Sequence, residues 1–229
     1  KRIASANMNA IEQLKQEAAL KAVEHLKSGM TVGLGTGSTA KYAIEALGQK
    51  LSSGNLERIS AVPTSEATAE LARLAKIPLV ELSGSGVDIA IDGMDEITEN
   101  LDAIKGNGGA LTREKIVAAR ARTFILIGDE RKQVQRLGIN PVPVEVVPFG
   151  WRATLADLVS LGCEAIPRRQ NSSAEAPFFI SDNGNYILDC QFSRQFSPYA
   201  VAAEMLAIPG VVEHGLFLGM AQLAYIATH

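Results

Sequence analysis

A mostly parallel α/β sheet with helices on both faces, of the Rossmann-like kind, interrupted by a smaller α+β ferredoxin-like domain, is the fold this sequence predicts. Two observations carry the prediction. Up to about residue 138, short apolar strands alternate with amphipathic helices through short connections, the pattern of a parallel sheet covered on both sides. Past Pro141 the rhythm becomes strand, helix, two strands, helix, strand, which is the order of a ferredoxin-like unit. The expected division is residues 1–138 with 213–229 for the large domain and 139–212 for the inserted one.

The elements follow in order. Residues 10–28 read as a helix, because Ile11, Leu14, Ala18, Ala22 and Leu26 recur at spacings of three and four and Gly29 ends the run. Residues 30–35 form a short apolar strand that turns straight into a helix from Thr36, with Ser38 or Thr39 able to cap it. A second round follows: strand 59–63, corner 64–68, helix 67–77. Residues 78–82 read as a further short strand. In strand 87–93, Val87, Ile89 and Ile91 alternate. Residues 101–106 lead into a glycine run, helix 110–121 and strand 122–128, and residues 129–137 begin the next helix. In the inserted part, 141–149 is a proline-bounded strand and 154–162 a short helix. Residues 177–192 hold two apolar runs joined by Asp182-Asn183-Gly184-Asn185, a strong hairpin signal. Helix 197–210 and strand 211–217 complete the unit.

Composition narrows the class of function. Apolar residues make up 47% of the 229 and charged residues 21%, with a net charge of −3. That is an ordinary globular balance, and it points to neither nucleic acid nor an anionic membrane as partner. No apolar run approaches the ~18 residues that span a bilayer. The first residues lack the apolar stretch of a signal peptide, and Met8 is a candidate native start. Cys163 and Cys190 have no metal-ligand spacing and read as free, buried thiols in a reducing compartment. His25, His214 and His229 are scattered, which argues against a histidine-based metal site.

In such folds ligands bind beyond the carboxyl ends of the strands, and three corners there carry chemistry-bearing residues. The first is Gly33–Ala40. Alternate Gly33, Gly35 and Gly37 free the backbone to approach an anion, and Thr36, Ser38 and Thr39 add hydroxyls at a helix N-terminus. It is neither the nucleotide P-loop nor the dinucleotide fingerprint. A cradle for a small phosphate monoester and a tight turn with a hydroxyl cap fit it equally. The second corner gathers Asp92, Asp95 and Glu96 after a strand in which Asp88 also lies. Paired carboxylates bind sugar hydroxyls, bind Mg²⁺ or exchange protons, while Asp-Gly is also common turn chemistry. The third corner is the sharpest. Lys105 ends a strand, Gly106-Asn107-Gly108-Gly109 gives a bare backbone, and Glu114 falls early in the next helix. So many glycines are costly to order, and their place between a lysine and a glutamate argues for function. Lys132 adds a cation at the same end of the sheet.

Together these corners resemble the type A ribose-5-phosphate isomerase family. The residues that carry the likeness are Gly35–Ala40, Asp92-Gly93-Met94-Asp95-Glu96, Lys105–Lys115, Lys132-Gln133-Val134, Pro143-Val144-Glu145-Val146, Asp182-Asn183-Gly184-Asn185 and Ile208-Pro209-Gly210-Val211-Val212. They run in family order from about residue 11 to 219. Met94 stands where alanine is frequent, and Asn107 where glycine is frequent.

The resemblance implies an aldose-ketose isomerase that interconverts ribose 5-phosphate and ribulose 5-phosphate through an enediolate, in the non-oxidative pentose phosphate pathway. By resemblance, Glu114 is the base between C1 and C2, and Asp92, Asp95 and Lys105 bind the sugar oxygens and stabilise the enediolate. Thr36, Gly37, Ser38 and Thr39 hold the phosphate with Lys15 and Lys132, and Gly93, Met94, Gly106, Asn107 and Gly108 complete the substrate contacts. The resemblance implies no cofactor and no metal, a homodimer, and a cytoplasmic setting, or a plastid if the source is a plant. The alternative in another class is a sugar-phosphate-sensing binding domain of similar fold. An amino-sugar phosphate deaminase or a coenzyme A transferase is a third reading, whose motifs are not found.

Overall fold

The computed structural model describes residues 2–173 and 175–229, with side chains from residue 10 onward. It divides into two compact units. The first comprises 1–94, 113–133 and 219–229, and the second 95–112 and 134–218. The expected inserted segment, 139–212, lies within the second unit, which also takes in 95–112, 134–138 and 213–218.

Helices are α1 (Arg2–Val23), α2 (Ala40–Ser52), α3 (Glu66–Leu74), α4 (Leu111–Ala119), α5 (Trp151–Ser160) and α6 (Pro198–Leu206). Strands are β1 (Thr31–Leu34), β2 (Ser60–Pro63), β3 (Val87–Gly93), β4 (Glu96–Ile97), β5 (Ala103–Ile104), β6 (Ala121–Asp129), β7 (Val142–Val146), β8 (Cys163–Pro167), β9 (Tyr186–Phe192), β10 (Val211–His214), β11 (Leu216–Phe217) and β12 (Leu223–Ala227).

The first unit is a five-stranded sheet in the order β12-β6-β3-β1-β2, parallel throughout. The period-2 geometry of strands sorts its side chains. Val32, Leu34, Ile89, Ile91, Ile125 and Ile127 join one core with Ala18, Ala22 and Val23 of α1 and Ala43, Ile44 and Leu47 of α2. The opposite face receives α4. A Cβ built on Gly33 would stand 2.6 Å from Val117 Cγ1 of that helix and 2.9 Å from Ala90 Cβ. Glycine at 33 therefore sets how closely α4 approaches the sheet.

The second unit contains a four-stranded antiparallel sheet ordered β10-β7-β9-β8. Numbered within the unit this is 4-1-3-2, the arrangement of a ferredoxin-like β-α-β-β-α-β. Its core gathers Val142, Val144, Val146, Leu158, Leu188, Cys190 and Met205. A small sheet, β11-β5-β4, stands beside it in the same unit. Both cysteines are buried free thiols.

Four expectations are corrected. Helix α1 stops at Val23 and turns lead to Gly29, whose φ of +87° suits glycine. Residues 78–82 contribute only one bridge, Leu79 to Ala61. Residues 129–137 do not start a helix beyond one 3₁₀ turn at Glu130–Lys132. The buried Asp129 carboxylate caps that single turn by accepting the Arg131 amide, and it also holds the Arg131 guanidinium. The Arg131 hydrogen bond holds that carboxyl below the usual carboxylate range. Finally, the second strand of the inserted unit is Cys163–Pro167 and not the run at 177–180. That run makes only the bridges Arg169–Phe178 and Ile180–Tyr186. The sequence Cys-Glu-Ala-Ile-Pro turns Glu164 and Ile166 outward, so it carries little apolar signal.

The Gly33 contact yields a stability prediction. Gly33→Ala should destabilise the protein by about 1–3 kcal/mol through overpacking against α4. Urea denaturation followed by circular dichroism checks it, and an unchanged midpoint would show that α4 moves away freely.

Candidate active site

In the first unit, the corner after β1 is built around a close approach. A Cβ on Gly35 would lie 2.1 Å from Asp92 Oδ1, so only glycine leaves room for that carboxylate. Asp92 Oδ1 accepts the amides of Thr36 at 3.2 Å and Gly93 at 2.7 Å. The side chain of Thr36 is held in a knot of hydroxyls with Thr64 (2.9 Å), Ser65 (2.9 Å) and Thr68 (3.1 Å). Thr68 in turn donates to the Gly35 carbonyl at 2.9 Å. The corner after β2 thus clamps the corner after β1. Thr36 contributes its amide and shape here, while its hydroxyl is engaged inside the knot.

Two helix starts in this unit behave differently. Ser65 caps α3 in the ordinary way, accepting the Thr68 amide at 3.0 Å. Thr39 precedes α2 in helical geometry, and its side chain makes no capping bond. Past Thr36, the next amide in this corner with a backbone acceptor is that of Lys41, which donates to the Gly37 carbonyl at 3.1 Å. The expected cap by Ser38 or Thr39 is therefore not formed. A helix start carries the positive end of the helix dipole, which favours an anion. Gly37, at φ +116°, gives the turn a conformation that a side chain would strain.

Lys15 reaches this corner from α1. Its Nζ donates to Ser38 Oγ at 3.1 Å and to Glu12 Oε1 at 2.7 Å. Tyr42 of α2 donates to the other Glu12 oxygen at 2.6 Å. The Lys15 hydrogen bond, then that of Tyr42, pulls the Glu12 carboxyl below its usual range, and Glu12 pushes the Tyr42 phenol up to about 12. Met94 is buried over Gly128, against which the stem of Lys132 also packs. Glu114 lies in the first turn of α4, and its side chain is buried at 4% exposure.

The chain passes from the first unit to the second between Met94 and Asp95, and returns between Thr112 and Arg113. In the second unit Lys105 follows β5, which is paired on both sides. Its amide donates to the Gly215 carbonyl at 2.9 Å, and its ammonium stands 5.4 Å from the centroid of the Phe217 ring. Lys105 is 2% exposed and Asp92 is 2% exposed, and burying ionisable groups to this degree is expensive unless they are paired.

The glycine run after Lys105 is a shaped turn. The Gly109 amide closes back on the Gly106 carbonyl at 2.9 Å, with φ of +107° at Gly106 and +76° at Gly109. Asp95 Oδ2 accepts the Asn107 amide at 2.9 Å. Phe179 occupies the space where a Gly109 side chain would go, 2.3 Å from its Cβ position. Just beyond the turn, Thr112 donates at 2.5 Å to Glu145, a carboxylate with no exposed surface. Glu145 also accepts from Ser181 (2.8 Å), Asn183 (3.0 Å) and Asn185 (2.8 Å). Four donors satisfy it without a cation. Among the described residues, no group of three His, Cys, Asp or Glu is arranged to hold a metal ion, and no helix is long and apolar enough to cross a membrane.

Known proteins resemble this chain over nearly its whole length. The family model for ribose 5-phosphate isomerase A (phosphoriboisomerase A) matches residues 60–229. The chain belongs to this family. The ribose-5-phosphate isomerase A of Synechococcus sp. is 51% identical over 223 residues, covering 96% of this chain and 95% of that one. The Deinococcus radiodurans protein of the same name is 48% identical over 219 residues, with 95% of each chain covered. Among solved structures, ribose 5-phosphate isomerase from Plasmodium falciparum superposes with a TM-score of 0.91 at 40% identity, over 96% of this chain and 95% of that one. A D-ribose-5-phosphate isomerase in complex with phospho-erythronic acid gives 0.91 at 41% identity, over 96% of both. The α/β architecture is thus that of the family.

The first unit holds Lys15, Thr36, Gly37, Ser38, Thr39, Asp92, Gly93, Met94, Glu114 and Lys132, and the second holds Asp95, Lys105, Gly106, Asn107 and Gly108. Sequence reasoning did not find the supports of these residues: the hydroxyl knot, the Glu12–Tyr42 pair, and the role of Glu145. The last had a signal, because Pro143–Val146 and Asp182–Asn185 both belong to the family motifs, and the structure ties them together through one carboxylate. Replacing that carboxylate tests the tie. Glu145→Gln turns an acceptor into a donor facing donors, and should cost about 2–4 kcal/mol. Chemical denaturation of the variant measures this, and a loss below 0.5 kcal/mol, roughly the size of a surface substitution, would contradict it.

Proposed function

We propose that this chain interconverts ribose 5-phosphate and ribulose 5-phosphate by proton transfer between C1 and C2 through an enediolate. The observation that carries this reading is the burial of Asp92, Lys105 and Glu114 at the positions where the family motifs put carboxylate, cation and base. Glu114 is the base. A carboxylate that takes a proton beside a carbonyl needs a donor where negative charge grows on the oxygen. Lys105 and the Gly108 amide of the turn supply it. Asp92 and Asp95 hold sugar hydroxyls and assist ring opening. The start of α2, with Ser38, Thr39, Lys15 and Lys132, holds the phosphate, whose binding energy orients the reacting carbons. A proton shift between neighbouring carbons needs no electron acceptor, and on this reading no metal takes part. The compartment that fits is the cytoplasm, or a plastid for a plant source.

The test begins with the wild-type protein, ribose 5-phosphate and EDTA in D₂O. Ribulose 5-phosphate should form at an EDTA-independent rate, with deuterium at C1 of the ketose and C2 of the aldose. Glu114→Gln should lose about 10²–10⁴-fold in turnover while still binding the sugar phosphate. Thr39→Val should weaken ribose 5-phosphate roughly tenfold and leave free ribose nearly unaffected. A protein that binds the sugar phosphate and returns it unconverted and unlabelled is a sensor, not an isomerase. We further propose a homodimer built by a symmetric contact, and a monomer mass in light scattering at micromolar concentration would overturn that.

A further inference from the structure

The glycine turn after Lys105 is held from behind by a residue outside every family motif quoted above. Arg168 follows directly on β8 and is mostly buried, its side chain 13% exposed. Its Nε donates to Asp189 Oδ2 at 2.9 Å, and its Nη2 donates to Asp189 Oδ1. This two-point pairing fixes the plane of the guanidinium. The remaining nitrogen, Nη1, donates to two consecutive backbone carbonyls of the turn, Gly106 at 2.8 Å and Asn107 at 3.0 Å. Phe179, which fills the space at Gly109, has its ring 5.9 Å from the Arg168 guanidinium carbon.

Peptide planarity turns these bonds into a statement about amides. Among the described residues no peptide is cis, so each N–H points away from the carbonyl of its own plane. The Gly106 carbonyl faces Arg168, and the Asn107 amide of that plane indeed goes to Asp95 on the other side. The Asn107 carbonyl also faces Arg168, so the Gly108 amide is turned away from the guanidinium. Glycines at 106, 108 and 109 leave the turn little conformational preference of its own. An external clamp must choose the peptide orientation.

We propose that Arg168, braced by Asp189, is a positioning residue that sets the peptide planes of the Gly106–Gly109 turn, and thereby the direction of the Gly108 amide offered to the growing oxyanion. It touches no reacting atom. The inference rests on the isomerase reading for its catalytic consequence, but the clamp itself does not. Arginine is required because one planar group must bond a carboxylate on one edge and two carbonyls on the other. A lysine offers a point charge without that geometry.

Two measurements on the full chain separate the possibilities. Amide hydrogen exchange over residues 105–112 is compared in wild type, Arg168→Ala and Asp189→Asn. Exchange of the turn amides should quicken at least tenfold in Arg168→Ala and by less in Asp189→Asn, while β7 and β9 keep their protection. Steady-state kinetics with ribose 5-phosphate should show kcat lowered about 10–100-fold in Arg168→Ala with KM within threefold of wild type. Added guanidinium ion at millimolar concentration should restore part of kcat in Arg168→Ala and none in Glu114→Gln. Unchanged exchange in the turn overturns the clamp whatever the activity. Faster exchange with unchanged kcat in an active wild-type background overturns its catalytic role. Faster exchange with a wild type that does not convert the sugar leaves the clamp standing and sinks the isomerase reading instead. If Arg168→Ala loses the protection of β7 and β9 as well, Arg168→Lys decides: it retains charge without the fork, so a folded lysine variant with wild-type kcat overturns the proposal.

Discussion

The Asp92 carboxylate lies where a side chain at position 35 would have to be, and much of the first unit is arranged around that exclusion. Because Gly35 gives way, β1 and β3 can end side by side with the carboxylate tucked between the two corners and bonded to the Thr36 amide. Orienting Thr36 then engages its hydroxyl with Thr64, Ser65 and Thr68, and so draws in the corner after β2. Three successive strand ends are locked by short polar bonds that contribute individually about 0.5–1.5 kcal/mol but together leave little freedom. The donors at the start of α2 depend on this lock, since an amide can be offered to a ligand only if the rest of its corner stays in place.

The second unit uses a different device. Its two buried or half-buried hubs are charged side chains that bond backbone or amide groups: Glu145 gathers four donors and Arg168 holds two carbonyls and a carboxylate. Both bear on the stretch from Lys105 to Thr112, which has few side chains with which to define its own shape. Packing alone could not specify four consecutive residues of which three are glycine. Directional bonds from a ferredoxin-like scaffold can.

Much of this was legible in the sequence because the large sheet obeys local rules. Strand β3 alternates, α2 and α4 follow glycine-bearing corners, and the chemistry-bearing residues sit at strand ends where a parallel sheet must put them. The ferredoxin-like order was legible too, although one of its strands was not. Cys163–Pro167 earns its place in the sheet from its pairing with β9, a non-local contact that composition does not announce. The same limit explains the supports of the site. Arg168 and Asp189 stand 21 residues apart and meet across a strand pair, while Glu145 meets Asn183 and Asn185 some 40 residues on. Each looks like a surface charge when read in a line. The Asp129–Arg131 contact is local and does cap a helical turn, but nothing in the line of residues shows that the helix ends at Lys132.

The order of strands in the large sheet also has a consequence for synthesis. Strand β12 closes the edge beside β6, and it is made only from residues 223–227. A nascent chain that has already assembled β3 and β6 therefore carries an open, apolar β6 edge until these late residues arrive. Unpaired edges of this kind template association with other chains. The interval between completing β6 and completing β12 spans the larger segment of the second unit, 134–218, so the time that segment takes to emerge sets how long the growing protein stays vulnerable to edge-to-edge aggregation.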